Sequence, residues 1–344
     1  MLSHAFGLIW RAGRLFGTAR TMRRAVLAAA TALLLLPGVA GAQGSSGQPA
    51  EPAPKFRSSV DLVSVAAVVR DRKGRFVSDL SRDDFIVVEG GEPRRIVGFE
   101  AERNGPIKVA VLFDVSGSMR VGSRAVDAKQ TARHLFSALR SGDQAALFSF
   151  DTRLDRVHGF TTDFGKLESA IDTVERPYGQ TSLYDAIAET AKSVAAEAGT
   201  NGRLPQRAAV VVLTDGVDTK SRLTAPEVSG IASSIDVPVY VIAVMAPIDD
   251  PARLQEENVI SGALKDLAMW TGGELFVASA PAHASQASRQ IVDELRNQYL
   301  LAFEASSRQG WKPLEIKSRK KNLIVRARSG YLAGGNRSSA SETR

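Results

Sequence analysis

Between residues 105 and 297 the chain alternates short apolar runs with stretches of helical period, and that alternation constrains the fold more than any other feature. Residues 107–113, 144–150, 208–213 and 237–244 are mostly apolar, with little that could face water on either side. Such runs read as strands buried on both faces, as in a parallel sheet covered by helices. The helices lie between them. Ala128, Ala132, Leu135 and Leu139 share one face of 124–139, and helical patterns recur at 163–174, 183–196, 226–234, 260–270 and 284–295. Thr162 or Asp163 is the expected N-cap of the second of these helices. Residues 154–160 read as a short edge strand, and 274–278, after the Thr271-Gly272-Gly273 turn, as the last strand. Regular alternation predicts an α/β fold, a doubly wound and mostly parallel sheet with helices on both faces.

The first of these runs ends in a distinctive way. Residues 107–120 read IKVAVLFDVSGSMR. The strand stops at Asp114, and Val115-Ser116-Gly117-Ser118 follows on a glycine-assisted turn. One carboxylate and two hydroxyls are thus presented two residues apart, at the strand end where open α/β sheets bind ligands. All three are oxygen donors, which suits a hard cation such as Mg²⁺ and not zinc or a redox metal. A plainer reading is that these residues only make a turn and cap the next helix.

Asp114-x-Ser116-x-Ser118 resembles the D-x-S-x-S of the von Willebrand factor type A (VWA) fold, its metal-ion-dependent adhesion site (MIDAS). The resemblance expects a Thr in a loop ahead of a helix, and an Asp after a buried strand within T-D-G. Thr181, in Gly179-Gln180-Thr181-Ser182, and Asp215, in Thr214-Asp215-Gly216, occupy those places. By resemblance, Ser116, Ser118 and Thr181 contact the metal through neutral hydroxyls, and Asp114 and Asp215 act through water. The metal, Mg²⁺ with Mn²⁺ as the alternative, then stays electron-poor and favours a Glu or Asp side chain from a partner protein. The expected function is a metal-dependent, adhesion-type protein-binding module.

Both flanks read as β structure. On the N-terminal side, 60–69, 85–89 and 95–99 are strand-like, separated by turns at 71–74 and at Gly90-Gly91. On the C-terminal side, 299–303, 311–317 and 323–327 are strand-like, followed by Arg328-Ser329-Gly330-Tyr331. Asp71, Gly74 and Val77, then Asp84-Phe85, and finally Arg328-x-Gly330-Tyr331 resemble the flank motifs of the acidobacterial-type VWFA-related subgroup. Small isolated sheets are marginal, so the two flanks are expected to pair into one β unit. Adjacent Asp83 and Asp84 do not alternate as calcium-loop ligands do, and read as surface turn residues.

The full division expected from sequence is a signal peptide at 1–42, a linker at 43–55, the N-terminal β flank at 56–104, a VWA domain at 105–297, the C-terminal β flank at 298–331 and a disordered tail at 332–344. The signal rests on Arg23-Arg24, an apolar run at 25–36, the Pro37-Gly38 break and the small residues Ala40-Gly41-Ala42. Met22 is a tidier start for it than Met1. The protein is therefore expected to be exported, to the periplasm, the cell surface or the medium, with no membrane span after cleavage.

Composition narrows the functional classes. The chain has no cysteine, which excludes disulfides, thiolate zinc sites and a cysteine nucleophile. Its net charge of +7 would suggest nucleic acid, but residues 1–42 hold five of the 44 basic residues and none of the acidic ones. Without them the balance is 39 to 37, a net +2, which argues against a nucleic-acid partner. A metal-assisted hydrolase is the rival reading, but His134, His158 and His283 sit in no evident constellation, and no G-x-S-x-G or P-loop is present. A third reading is a structural protein that holds no metal and binds through its β unit, or binds an anionic polymer or lipid through its basic C-terminal strands.

Overall fold

The computed structural model describes residues 62–101, 105–174, 177–198, 200–201, 204–245 and 253–333. The expected signal, linker and the tail beyond residue 333 lie outside the described residues. The chain opens with β1 (Leu62–Asp71), β2 (Phe85–Glu89), β3 (Glu92–Arg94) and β4 (Ile96–Glu100). The central elements follow: β5 (Ile107–Asp114), α1 (Arg124–Ala138), β6 (Gln144–Phe150), β7 (Leu154–Thr161), α2 (Phe164–Thr173), α3 (Leu183–Ala198), the short pair β8 (Thr200–Asn201) and β9 (Leu204–Pro205), β10 (Arg207–Thr214), α4 (Ala225–Ser234), β11 (Val239–Val244), α5 (Arg253–Trp270), β12 (Leu275–Ala278) and α6 (Pro281–Arg296). The chain then returns to strands: β13 (Gln298–Glu304), β14 (Gly310–Ser318), β15 (Leu323–Ala327) and β16 (Gly330–Ala333).

The central sheet has the order β12-β11-β10-β5-β6-β7 and is parallel except for β7, which pairs antiparallel with β6. Every residue of β5, β10 and β11 is buried, as the uniform apolar runs require. Alternate side chains of β5 serve two cores. Val109, Val111 and Phe113 pack under α1, α2 and α6, and Ala110 and Leu112 pack under α3, α4 and α5. Each fully buried Val, Leu or Phe is worth about 1.5–3 kcal/mol, so this double burial is the main anchor of the strand that carries the site. Among the described residues no helix is long and apolar enough to cross a membrane.

Both flanks build one sandwich. One antiparallel sheet has the order β15-β1-β13-β4 and the other β16-β14-β2-β3, so each holds strands from both ends of the chain, alternating in the first and joined as two pairs in the second. Val65, Val69, Phe85, Val87, Leu301, Phe303, Leu314 and Ile316 fill the space between them. Tyr299 ties the corner, donating to the Val77 carbonyl at 3.0 Å and accepting from the Leu80 amide at 3.1 Å.

The sandwich attaches where the central strands begin. Buried Arg328 donates to the carbonyls of Ser233 and Ser64, and the Ser329 amide donates to the Trp270 carbonyl at 2.9 Å. Glu294 of α6 is buried between Arg70 of β1 and Arg326 of β15. Arg207, which opens β10, pairs with Glu100 of β4 at 3.4 Å. All these contacts lie at strand starts and helix ends, so the strand ends that carry the site loops face away from the sandwich.

Several expectations needed adjustment. α5 begins at Arg253, well before residue 260, and the short β3 and β8–β9 pairings carry too few apolar residues to be read from sequence. Asp163 holds the N-cap position of α2 but makes no side-chain cap bond. Leu332 and Ala333, expected at the start of the tail, close β16 instead, because Trp311 and Gly310 of β14 pair with them.

Candidate metal centre

Three loops meet at the carboxyl end of β5. Asp114 is fully buried; it accepts the Ser116 amide at 2.8 Å and the Thr214 hydroxyl at 2.6 Å. Those bonds fold the chain back so that the Ser116 and Ser118 hydroxyls stand 3.1 Å apart. Ser116 is buried and Ser118 half-buried. Burial pushes the Asp114 carboxyl up to about 7, against the pull of the Thr214 and Ser116 hydrogen bonds, and negative Asp215 nearby pushes the same way.

Thr181 arrives on the second loop. The Gly117 amide donates to the Gly179 carbonyl at 2.9 Å, and the Tyr178 amide donates to the Val115 carbonyl at 2.8 Å. The contact is close: a side chain on Gly117 would place its Cβ 3.0 Å from the Gly179 oxygen. Gly179 itself has φ +93°, a conformation that favours glycine. Thr181 is buried, and its backbone is bonded to the third loop. Its amide donates to the Thr219 hydroxyl at 2.9 Å, and its carbonyl accepts the Thr219 and Lys220 amides.

Asp215 stands on that third loop, directly after β10. Its carboxylate accepts the Arg124 guanidinium at 2.8 Å, in a pair whose side chains are 8% and 1% exposed. Arg124 also reaches the Ser118 carbonyl at 3.4 Å. It enters from the first turn of α1, ten positions after Asp114, and no spacing rule singled it out. The same is true of Asp218, which accepts the Leu183 amide at 2.8 Å and so fixes the start of α3. Thr214 was visible only as part of T-D-G.

The donor set suits a hard cation: two carboxyls and three hydroxyls, on loops bonded to one another. With both carboxyls ionised, two buried negative charges are met by one guanidinium, a net −1, and a divalent cation would turn the cluster to a net +1. Among the described residues no group of three or more His, Cys, Asp or Glu side chains could hold a metal. Here three of the five oxygens belong to hydroxyls, so a site of this kind has no such group.

The family model of the von Willebrand factor type A domain matches residues 109–217, a span containing Asp114, Ser116, Ser118, Thr181 and Asp215. No curated protein matches the chain. Among solved structures, a conserved hypothetical protein, BatB, from Bacteroides thetaiotaomicron is similar at 18% identity, with a TM-score of 0.45 over 55% of this chain and 98% of that one. An aerotolerance-related membrane protein from Bacteroides fragilis is similar at 20% identity, with a TM-score of 0.44 over 54% and 98%. Proximal thread matrix protein 1 from the mussel byssus, in a structure with a zinc-occupied MIDAS motif, is similar at 18% identity, with a TM-score of 0.43 over 61% and 50%. With its doubly wound sheet and the family match along β5 to β10, this chain carries a von Willebrand factor type A domain.

Proposed function

We propose that the protein is an exported binding module whose domain holds a divalent cation at Asp114, Ser116, Ser118, Thr181 and Asp215 and uses it to capture a Glu or Asp side chain of a partner protein. The carrying observation is the turn after β5, where buried Asp114 organises the Ser116 and Ser118 hydroxyls into a pair 3.1 Å apart. Mg²⁺ is the ion we assign, with Mn²⁺ as its substitute, because every donor is an oxygen. Neutral hydroxyls donate little charge, so the ion keeps its appetite for an outside carboxylate.

The reading is one of capture. His134 lies beside Gln130 on α1, His158 beside the Gly159 carbonyl on β7, and His283 beside Ser279 at the start of α6, so each is engaged away from the site loops. Export rests on the signal-like residues 1–42, and the flank motifs that resemble the acidobacterial-type subgroup belong to the same proposal. Calorimetric titration of the chain with Mg²⁺, beside Asp114→Ala, tests the site. Saturable heat in the parent that vanishes in the variant is the expected result. Equal heat in both would overturn the assignment.

A further inference from the structure

The loops around the site carry an uneven distribution of charge. Arg120, Arg153, Lys220 and Arg222 are all exposed, and among the described residues none is paired with a carboxylate. Their backbones belong to the site loops. Arg120 follows Ser118 by two residues, and the Lys220 amide donates to the Thr181 carbonyl at 2.8 Å. The Arg153 carbonyl accepts the Asp151 amide, while the Asp151 carbonyl accepts the Ser182 amide at 2.7 Å. The Arg222 amide donates to Asp185 on α3.

The acidic side chains named next, on these loops and in the first turns of α3 and α4, are turned to backbone duty. Asp151 accepts the Arg153 amide at 2.9 Å, Asp185 the Leu223 amide at 2.9 Å, and Asp218 the Leu183 amide and the Ser221 hydroxyl. Glu227 is tied to Thr224 in the capping box of α4. The loops therefore offer these cations to solvent and keep the acids just named engaged, while Asp155, exposed at the start of β7 two residues after Arg153, adds one anion beside them. Two apolar side chains stand among these cations: Tyr178 is 77% exposed and Val121 41%. Both belong to the loops that form the site, through the Tyr178 amide to Val115 and the Val121 amide to Ser118. An exposed Tyr held on a bonded loop is the kind of residue that anchors protein interfaces.

We infer that the partner presents its metal-bound carboxylate on an acidic peptide segment, with further Asp or Glu residues meeting Arg120, Arg153, Lys220 and Arg222 and an apolar side chain meeting Tyr178. This rests on the metal-dependent reading above and adds the chemistry of the residues beside the captured one. Rim charges of this sort select partners and speed encounter, and they weaken with salt.

Two labelled decapeptides test it by fluorescence anisotropy in Mg²⁺: one with a single central Glu in a Gly/Ser context, the other with that Glu flanked by four Asp residues and a Leu. The acidic peptide should bind at least tenfold more tightly at low salt, and the gap should shrink as salt rises. Lys220→Glu with Arg222→Glu should erase the preference while leaving the Mg²⁺ heat unchanged. Tyr178→Ser should weaken the Leu-bearing peptide alone. Mg²⁺-dependent binding of both peptides with equal affinity would overturn the rim assignment and leave the metal reading standing. Binding of the acidic peptide that persists in EDTA, or metal-independent binding to phosphatidylglycerol vesicles in its place, would also overturn it. Loss of the Mg²⁺ heat itself would instead bring down the reading on which it rests.

Discussion

Replacing Arg124 with Leu removes the one cation that, among the described residues, stands against Asp215. The pair is almost wholly buried, with N and O 2.8 Å apart. Taking the charge centres as about 4 Å apart and an effective dielectric constant of about 20, the attraction lost is about 4 kcal/mol. That agrees with the roughly 3–5 kcal/mol seen when one partner of a buried pair is removed and the other stays charged. At about 2–4 °C per kcal/mol for a domain of this size, the melting temperature in EDTA should fall by roughly 10 °C. Among the described residues no other cation would then face Asp114 and Asp215, so Mg²⁺ should raise the melting temperature of Arg124→Leu more than that of the parent. Adding Asp215→Asn should restore part of the stability in EDTA and abolish the extra Mg²⁺ shift, the coupling expected of a contacting pair. Thermal unfolding in EDTA and in Mg²⁺, for the parent, the single and the double variant, is the assay. Equal Mg²⁺ shifts in parent and Arg124→Leu would refute the reasoning, whatever the change in EDTA.

Three other outcomes follow from the same structure. Gly179→Ala forces an L side chain into φ +93° and should cost about 1–3 kcal/mol while weakening Mg²⁺ binding several-fold, because the strain falls on the loop that carries Thr181; an unchanged calorimetric affinity would count against that loop's role. Burial alone would raise the Glu89 carboxyl, but bonds from Tyr331 and Ser306 and the Arg94 cation outweigh it and hold it below its ordinary 4.5. Its stabilising effect is then complete above pH 4.5 and is lost as pH falls through the lowered value, so Glu89→Gln should destabilise the fold at pH 7 by about 1.5–3 kcal/mol and flatten the acid limb of its melting curve; parallel acid limbs would exclude this. Ending the chain at Ser306 removes β14, β15 and β16, with Leu314, Ile316 and Tyr331 of the sandwich core, and should open 62–100 to limited proteolysis; unchanged protection would show that the N-terminal strands do not depend on them.

The central fold was legible because burial on two faces leaves a strong mark. β5 and β10 are apolar at almost every position, and the runs at 107–113 and 208–213 place them to within one residue at each end. Asp114, Ser116, Ser118 and Asp215 stand out because they lie at or just past those strand ends, whereas Thr181, in the loop ahead of α3, is marked only by the resemblance. What the sequence did not announce is the support around them. Arg124 reads as one more cation in a charged helix start, and only the fold brings it to Asp215, 91 residues away. Asp151, Asp218 and, in the first turn of α3, Asp185 carry no mark in the local sequence, and their work in holding backbone amides depends on how the loops meet. The start of α5 was missed because its first two turns, at 253–260, carry Gln255, Glu256, Glu257 and Asn258 and show little apolar period. The pairing of the flanks could be expected, since neither has enough strands to stand alone, but the interleaved strand order is a long-range property that no local pattern encodes.

The central claim is that these oxygens hold a metal, and locating the metal tests it most directly. In crystals of the chain grown with Mn²⁺, the strongest anomalous peak should lie in contact with the Ser116 and Ser118 hydroxyls, beside Thr181 and between Asp114 and Asp215. A fully ordered site with no anomalous density there, or a sole Mn²⁺ bound elsewhere on the chain, would contradict the account.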